Sequence, residues 1–137
     1  MDKSLGDGGM PLLGQLGVHF ARYGEGWVEA EWRPTESACN PLGPVHGGVY
    51  AVVHDAAMNF ATNSALERGD RCATISITYS TMRAATKDDT LLVRGEVVRL
   101  TKQIAYLDTS ITNTERELVS KATGTFILRR RPPDEVS

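Results

Sequence analysis

Little in this chain announces itself by abundance. Two cysteines, Cys39 and Cys72, stand far apart in 137 residues, so neither a disulfide framework nor a cysteine-ligated metal is indicated. Neither has a base beside it that would mark a nucleophile, and no charged-then-apolar leader precedes them. Two reduced thiols in a cytoplasmic protein are the expectation. No apolar run approaches the ~20 residues that a bilayer-spanning helix needs, so a soluble protein without a membrane partner is expected. Charge of one sign is also missing: the formal net charge of -2 gives nucleic acid and anionic membranes no global attraction. Nucleotide-binding glycine loops and Ser-His-Asp patterns are absent, which removes several large enzyme classes. His46, His54 and Asp55 lack the i, i+4 histidine spacing with which a helix holds zinc, so no metal and no cofactor are expected.

What the chain does have is one stretch that changes character midway. Asn40-Pro41-Leu42-Gly43-Pro44-Val45-His46-Gly47-Gly48 is punctuated like a loop, and from Val49 to Leu66 small and apolar residues follow without a breaker, which predicts a buried helix entered through two glycines. Glycine costs roughly 1 kcal/mol against alanine inside a helix, so a pair at its start points to a close approach to the backbone. The first turn of a helix carries unpaired N–H groups and a partial positive charge, which suits an oxygen bearing negative charge. Gly47 and Gly48 are therefore candidates for an oxyanion hole. Further along, Asp55 lies among Val52, Val53, Ala56, Ala57 and Phe60, where an ionised carboxylate is costly unless it is paired or functional. A helix whose glycines pack tightly and whose aspartate sits at a subunit surface would have the same composition.

Helix geometry constrains the catalytic alternative. Eight steps from Gly47 to Asp55 give about 12 Å of rise and roughly 80° of rotation, so one chain cannot bring both to one carbonyl group. If both act on one bond, two copies of the chain must share the site, and a symmetric dimer follows.

The remainder reads as strands around that helix. Residues 1–10 are polar and glycine-rich, a flexible lead-in. Pro11-Leu12-Leu13-Gly14-Gln15-Leu16 predicts a short helix opened by proline. Residues 18–23 and 27–33 flank Gly24-Glu25-Gly26 as two strands of a hairpin, with Val28, Ala30 and Trp32 on one side of the second. Thr74 to Ser80 alternates with period two, placing Thr74, Ser76, Thr78 and Ser80 on one face and Ile75, Ile77 and Tyr79 on the other. Residues 91–100, 104–112 and 118–129 complete four strands after the helix, joined by short polar turns. The expectation is a single α+β domain over 11–129, an antiparallel sheet wrapped around one long central helix, followed by a flexible tail at 130–137.

This order of elements, with Asn40, five residues, His46-Gly47-Gly48, six residues and Asp55, resembles the hotdog-fold acyl-CoA thioesterases, in particular the PaaI-type branch. The likeness runs from about Leu12 to Leu128. It implies that two chains pair edge to edge into one continuous sheet as a homodimer, that two dimers form a tetramer, and that the substrate is an acyl-CoA. It makes Asp55 the carboxylate that acts on the thioester, as a base activating water or as a nucleophile. It makes Gly47 the donor to the thioester oxygen, helped by Asn40 or His46. Thr74 falls where the family has a serine or threonine that steadies the water or the carboxylate. One departure is Ala84, where the family usually has proline.

Other roles stay open at this point. His46 is a candidate for capping the helix mouth as much as for touching substrate, and His54, on a different face from Asp55, is read as structural. Gly48, Arg83 and Lys102 are candidate substrate-binding residues, the two basic ones for coenzyme A phosphates, although solvated surface charge is the commoner fate of such groups. A non-catalytic acyl-CoA sensor and an acyl-thioester hydratase or dehydratase are the rival functions.

Overall fold

A computed structural model describes residues 5–132, so the parts of the expected flexible ends at 1–4 and 133–137 lie outside it. Helix α1 (Pro11–Leu16) leads into strands β1 (Val18–Gly24) and β2 (Trp27–Trp32). Then come helix α2 (Gly47–Ser64) and strands β3 (Arg71–Thr81), β4 (Leu91–Leu100), β5 (Ile104–Thr112) and β6 (Leu118–Arg129). The strands form one antiparallel sheet in the order β1-β2-β4-β5-β6-β3, and α2 touches every strand of it. This is the antiparallel sheet around one long helix that the order of elements predicts, and the hotdog architecture that the family resemblance implies.

Helix α2 is seated by its own sequence. Tyr50, Val53, His54, Ala57, Met58, Ala61 and Thr62 recur at three- and four-residue steps and are buried against the sheet. The sheet makes room where it must: a Cβ on Gly95 of β4 would lie 3.0 Å from the Ala57 carbonyl oxygen, so the helix comes down onto bare backbone there. Trp32 and Phe126 close the core with no exposure, and the Trp32 indole N–H donates to the Leu16 carbonyl at 2.9 Å. Val28, Ala30 and Trp32, expected to share one side of β2, are all fully buried, so that side is the inner one.

The simple alternation expected for β3 is not what the strand adopts. Its register against β6 slips between Thr74 and Ser76, a β-bulge at Ile75. The extra residue turns Thr74 to the helix side, the side on which Tyr79 lies against His54 and reaches the first turn of α2. Thr74 thus shares a face with Tyr79 and not with Thr78 and Ser80. β3 is also an edge strand, and Ile75 is 54% exposed.

The lead-in is tied down where it is described. Gly6 forms a bridge with Phe20 of β1, which carries Gly8 and Met10 across the exposed side of α2. At the other end, Arg130 reaches the carbonyls of Thr101 and Lys102 and pairs with Asp70 at 3.4 Å.

Candidate active site

The outward face of α2 presents Asp55 to the first residues of β3. Thr74 Oγ1 donates to Asp55 Oδ1 at 2.6 Å, a charge-assisted hydrogen bond that holds one carboxylate oxygen and leaves the other available. The bulge at Ile75 makes this contact possible, because it rotates Thr74 onto the helix side. Cys72, two residues earlier, also lies near. Burial first, and then the Asp55 charge, push its thiol up to about 11, so it stays protonated and is a poor nucleophile at neutral pH.

A cavity of about 620 Å³ opens beside Asp55. Its walls are apolar at Leu13, Phe20, Val52 and Phe60 and polar at Asn59 and Asn63. Phe60 packs on Phe20 with ring centroids 4.7 Å apart and meets Tyr23 edge-on at 5.2 Å, so the α2 side of the cavity is fixed by an aromatic cluster.

The mouth of α2 lies two turns away. His46 is the N-cap, with extended φ and ψ, and its Nδ1 accepts the Gly48 N–H at 3.0 Å. That bond occupies the Gly48 amide and fixes Nε2 as the protonated nitrogen of the neutral ring. Gly47 is different: its N–H has no partner among the described residues, and a Cβ there would meet nothing within 4 Å. The first turn is steadied from the sheet, since the Tyr79 hydroxyl donates to the Gly47 carbonyl at 3.1 Å. Asn40 shapes the preceding loop: its Oδ1 accepts the Leu42 N–H at 2.8 Å and its backbone N–H donates to the Pro44 carbonyl at 2.8 Å.

Of the residues expected from sequence, the chain therefore joins Asp55 to Thr74 and keeps His46, Gly47 and Gly48 together at the helix mouth. The two basic residues do not meet. Arg83 follows β3, pairs with Glu117 at 3.0 Å and donates its backbone N–H to Val119; Lys102 sits in the β4–β5 turn, next to Gln103, which bonds Leu128. Val119 and Leu128 are at opposite ends of β6, so about 30 Å of strand separates the two at ~3.3 Å per residue. Asn59, Asn63 and Tyr79 were not singled out by the sequence. The signal for the two asparagines was their four-residue spacing from Asp55, which puts 55, 59 and 63 on one helical stripe.

No group of three or more potential metal ligands occurs among the described residues, and no described helix is long and apolar enough to cross a membrane.

Comparison with known proteins agrees with this architecture. The family model of the thioesterase superfamily matches residues 42–120, more than half of the chain. A Pseudomonas aeruginosa protein provisionally named an esterase is 29% identical over 119 residues, covering 86% of this chain and 88% of the relative. A Streptococcus pneumoniae hypothetical thioesterase solved with coenzyme A superposes with a TM-score of 0.77 at 25% identity, over 83% of this chain and 87% of that one. PaaI of the Escherichia coli phenylacetic acid degradation operon superposes with a TM-score of 0.79 at 24% identity, over 90% and 86%. With its hotdog fold and a family model that matches more than half of its length, this chain belongs to the thioesterase superfamily and is a thioester hydrolase.

Proposed function

We propose that the protein hydrolyses an acyl-CoA to the free acid and coenzyme A at a site built by two copies of the chain. The observation that carries this reading is the layout along β3. Thr74 bonds Asp55, and five positions later Tyr79 bonds the turn that bears the unpaired Gly47 amide. An antiparallel pairing of two β3 edges about a two-fold at Ile77, with Ile75 left out of the count by its bulge, sets Thr74 of one strand opposite Tyr79 of the other. Asp55 then faces Gly47 of the partner subunit, which the 12 Å along one helix forbids within a chain. The long exposed edge with Ile75 uncovered supports such a pairing, because an open strand of this kind is a template for another. Leu92 and Tyr106, exposed on the outer side of the sheet, offer a surface on which two dimers would pack.

The chemistry follows from the groups. The partner's Gly47 N–H, with help from Asn40 or His46 Nε2–H, polarises the thioester oxygen and holds the oxyanion, a role in which one donor is worth about 3 kcal/mol. Asp55 either removes a proton from water as that water attacks the carbonyl carbon or attacks it directly, and Thr74 holds its carboxylate in place. The C–S bond breaks and coenzyme A leaves as the thiol after taking up a proton; water attack gives the free acid at once, whereas direct attack leaves a mixed anhydride on Asp55 that a water then hydrolyses to the acid and the restored carboxylate. Coenzyme A as the carrier is supported by the Streptococcus pneumoniae relative. Lys102, whose ammonium is unpaired among the described residues, suits its phosphates better than Arg83, which is engaged by Glu117. Gly48 lends backbone room at the mouth.

A thiol-release assay over aliphatic and aromatic acyl-CoAs tests the reaction, and mixed dimers test the sharing. Asp55→Ala and Gly47→Val chains, each inactive alone, leave one intact site when paired, so random mixing should restore about a quarter of wild-type turnover. Mixed dimers that form and remain inactive, or a strict monomer by sedimentation, would sink the shared site. Single turnover in H2 18O separates the two roles of Asp55, since label enters its carboxylate only if it attacks directly.

A further inference from the structure

Beyond the reacting bond, the cavity beside Asp55 carries a directional set of hydrogen bonds that the hydrolysis does not use. The Cys72 thiol donates to Asn63 Oδ1 at 3.7 Å, and Asn63 Nδ2 donates to Asn59 Oδ1 at 2.7 Å. A thiol can enter this chain chiefly as donor, and burial keeps it protonated. Along this chain Asn63 accepts with its oxygen and donates with its nitrogen, and Asn59 accepts with its oxygen. What is left over is the Asn59 amide N–H2, which has no partner among the described residues. Asn59 is half-buried, lines the cavity and faces walls of Phe20, Phe60 and Leu13. Apolar pockets with one or two placed polar groups orient a ligand through those groups, and a donor left unmatched disfavours ligands that cannot reach it.

We propose that Asn59 is a specificity residue, and that the enzyme prefers acyl groups carrying a hydrogen-bond acceptor oxygen about one helical turn beyond the thioester carbonyl. The proposal rests on the reading that Asp55 acts on that carbonyl. The distance follows from the helix: Asn59 is four residues past Asp55, a rise of about 6 Å along the wall of the cavity. An acyl chain extended along α2 places an oxygen on its fifth carbon at about that separation. Asn63 and Cys72 are positioning residues, acting only through the orientation of Asn59.

The decisive comparison is 5-oxohexanoyl-CoA against hexanoyl-CoA, because a ketone accepts a hydrogen bond and cannot donate one. The wild-type protein should favour the oxo substrate in kcat/KM by about five- to tenfold, the range of one hydrogen bond in a partly wet site. Asn59→Leu should bring the ratio to unity or below, the oxo substrate losing more than the plain one. Asn59→Asp, nearly the same size but an acceptor, should reverse the preference. Asn63→Leu and Cys72→Ala should lower the ratio part-way, each costing the oxo substrate more than hexanoyl-CoA. The same order is expected for binding of the two thioesters to Asp55→Asn measured by calorimetry, which keeps the comparison independent of turnover. Equal use of the two substrates by the wild-type protein, or a ratio that Asn59→Leu leaves intact, overturns the proposal. Full activity in Asp55→Asn would overturn the underlying reading instead, and the two failures are therefore told apart.

Discussion

Two residues that are neighbours in the chain have opposite surroundings. His54 has no exposed surface; its Nδ1 pairs with Thr109 at 2.5 Å and its Nε2 with Ser120 at 2.8 Å. Ser120 spends its own proton on the Ser80 carbonyl at 3.0 Å, so His54 donates from Nε2 and accepts the Thr109 hydroxyl at Nδ1. Asp55, one residue on and about 100° around the helix, has one hydrogen-bond donor on one oxygen and an open cavity beside it. The core-facing stripe of α2 is closed: every buried side-chain polar atom among the described residues has a partner. The cavity-facing stripe keeps groups in reserve, the second Asp55 oxygen, the Asn59 amide and, at the helix mouth, the Gly47 N–H. One helix thus divides support from chemistry by rotation alone, and substitutions on its two sides should fail in different ways.

The largest effect belongs to the cavity side. Asp55→Asn keeps the shape and the Thr74 contact but removes the base, and should lower kcat by about 10²- to 10⁴-fold with a melting temperature close to wild type. A variant that lost activity only in proportion to its unfolded fraction would move Asp55 to the supporting side. The opposite signature is expected of Met58→Ala. Met58 is fully buried on the sheet side, so its truncation should cost about 2–5 kcal/mol of stability, read from denaturant midpoints. Turnover per folded molecule should stay the same.

His54 sharpens the contrast through pH. Burial lowers its pKa from 6.5 to about 4. The unfolded chain therefore takes up a proton that the folded chain refuses between those values. Stability is complete above pH 6.5 and falls as the pH drops toward 4, by an amount on the order of 3 kcal/mol for a shift of this size. His54→Gln, which retains both kinds of hydrogen bond and does not titrate, should flatten that segment of the stability curve. Superimposable curves for the two proteins would show that His54 does not carry the transition.

How much of this was legible beforehand depends on whether local pattern or distant packing decided the outcome. The order of strands and the long helix were readable, because the period-two run Val28, Ala30, Trp32 and the unbroken stretch after Gly48 each obey one geometry. The facing of Thr74 was not. Its side is set by the bulge at Ile75, which depends on pairing with a strand nearly fifty residues later, and no local pattern in β3 announces the extra residue. The contact of Thr74 with Asp55 was expected only through the family resemblance. The separation of Arg83 from Lys102 was hidden for the same reason, since it comes from where the two turns fall along β6. His46 came down on the capping side of its two readings, and that still leaves Nε2 as a donor. Asn59 and Asn63 were visible in principle, as the continuation of the Asp55 stripe.

Gly47→Ala should give a small change in stability, opposite in sign to that of Met58→Ala. Within the chain nothing lies within 4 Å of an added Cβ, and its backbone does not have positive φ. Alanine in place of glycine in a first helical turn should leave stability unchanged or raise it by up to about 1 kcal/mol. If the amide of Gly47 served only the fold, turnover would follow stability and hold or rise. If a thioester oxygen comes to rest against that amide, the methyl group occupies space the substrate needs, and kcat/KM should fall while the melting temperature does not. A stabilised protein with full activity would empty the helix mouth of any part in the reaction, whereas a stabilised protein with impaired turnover would mean that what crowds the methyl is absent from the single folded chain and arrives with the substrate or a second copy.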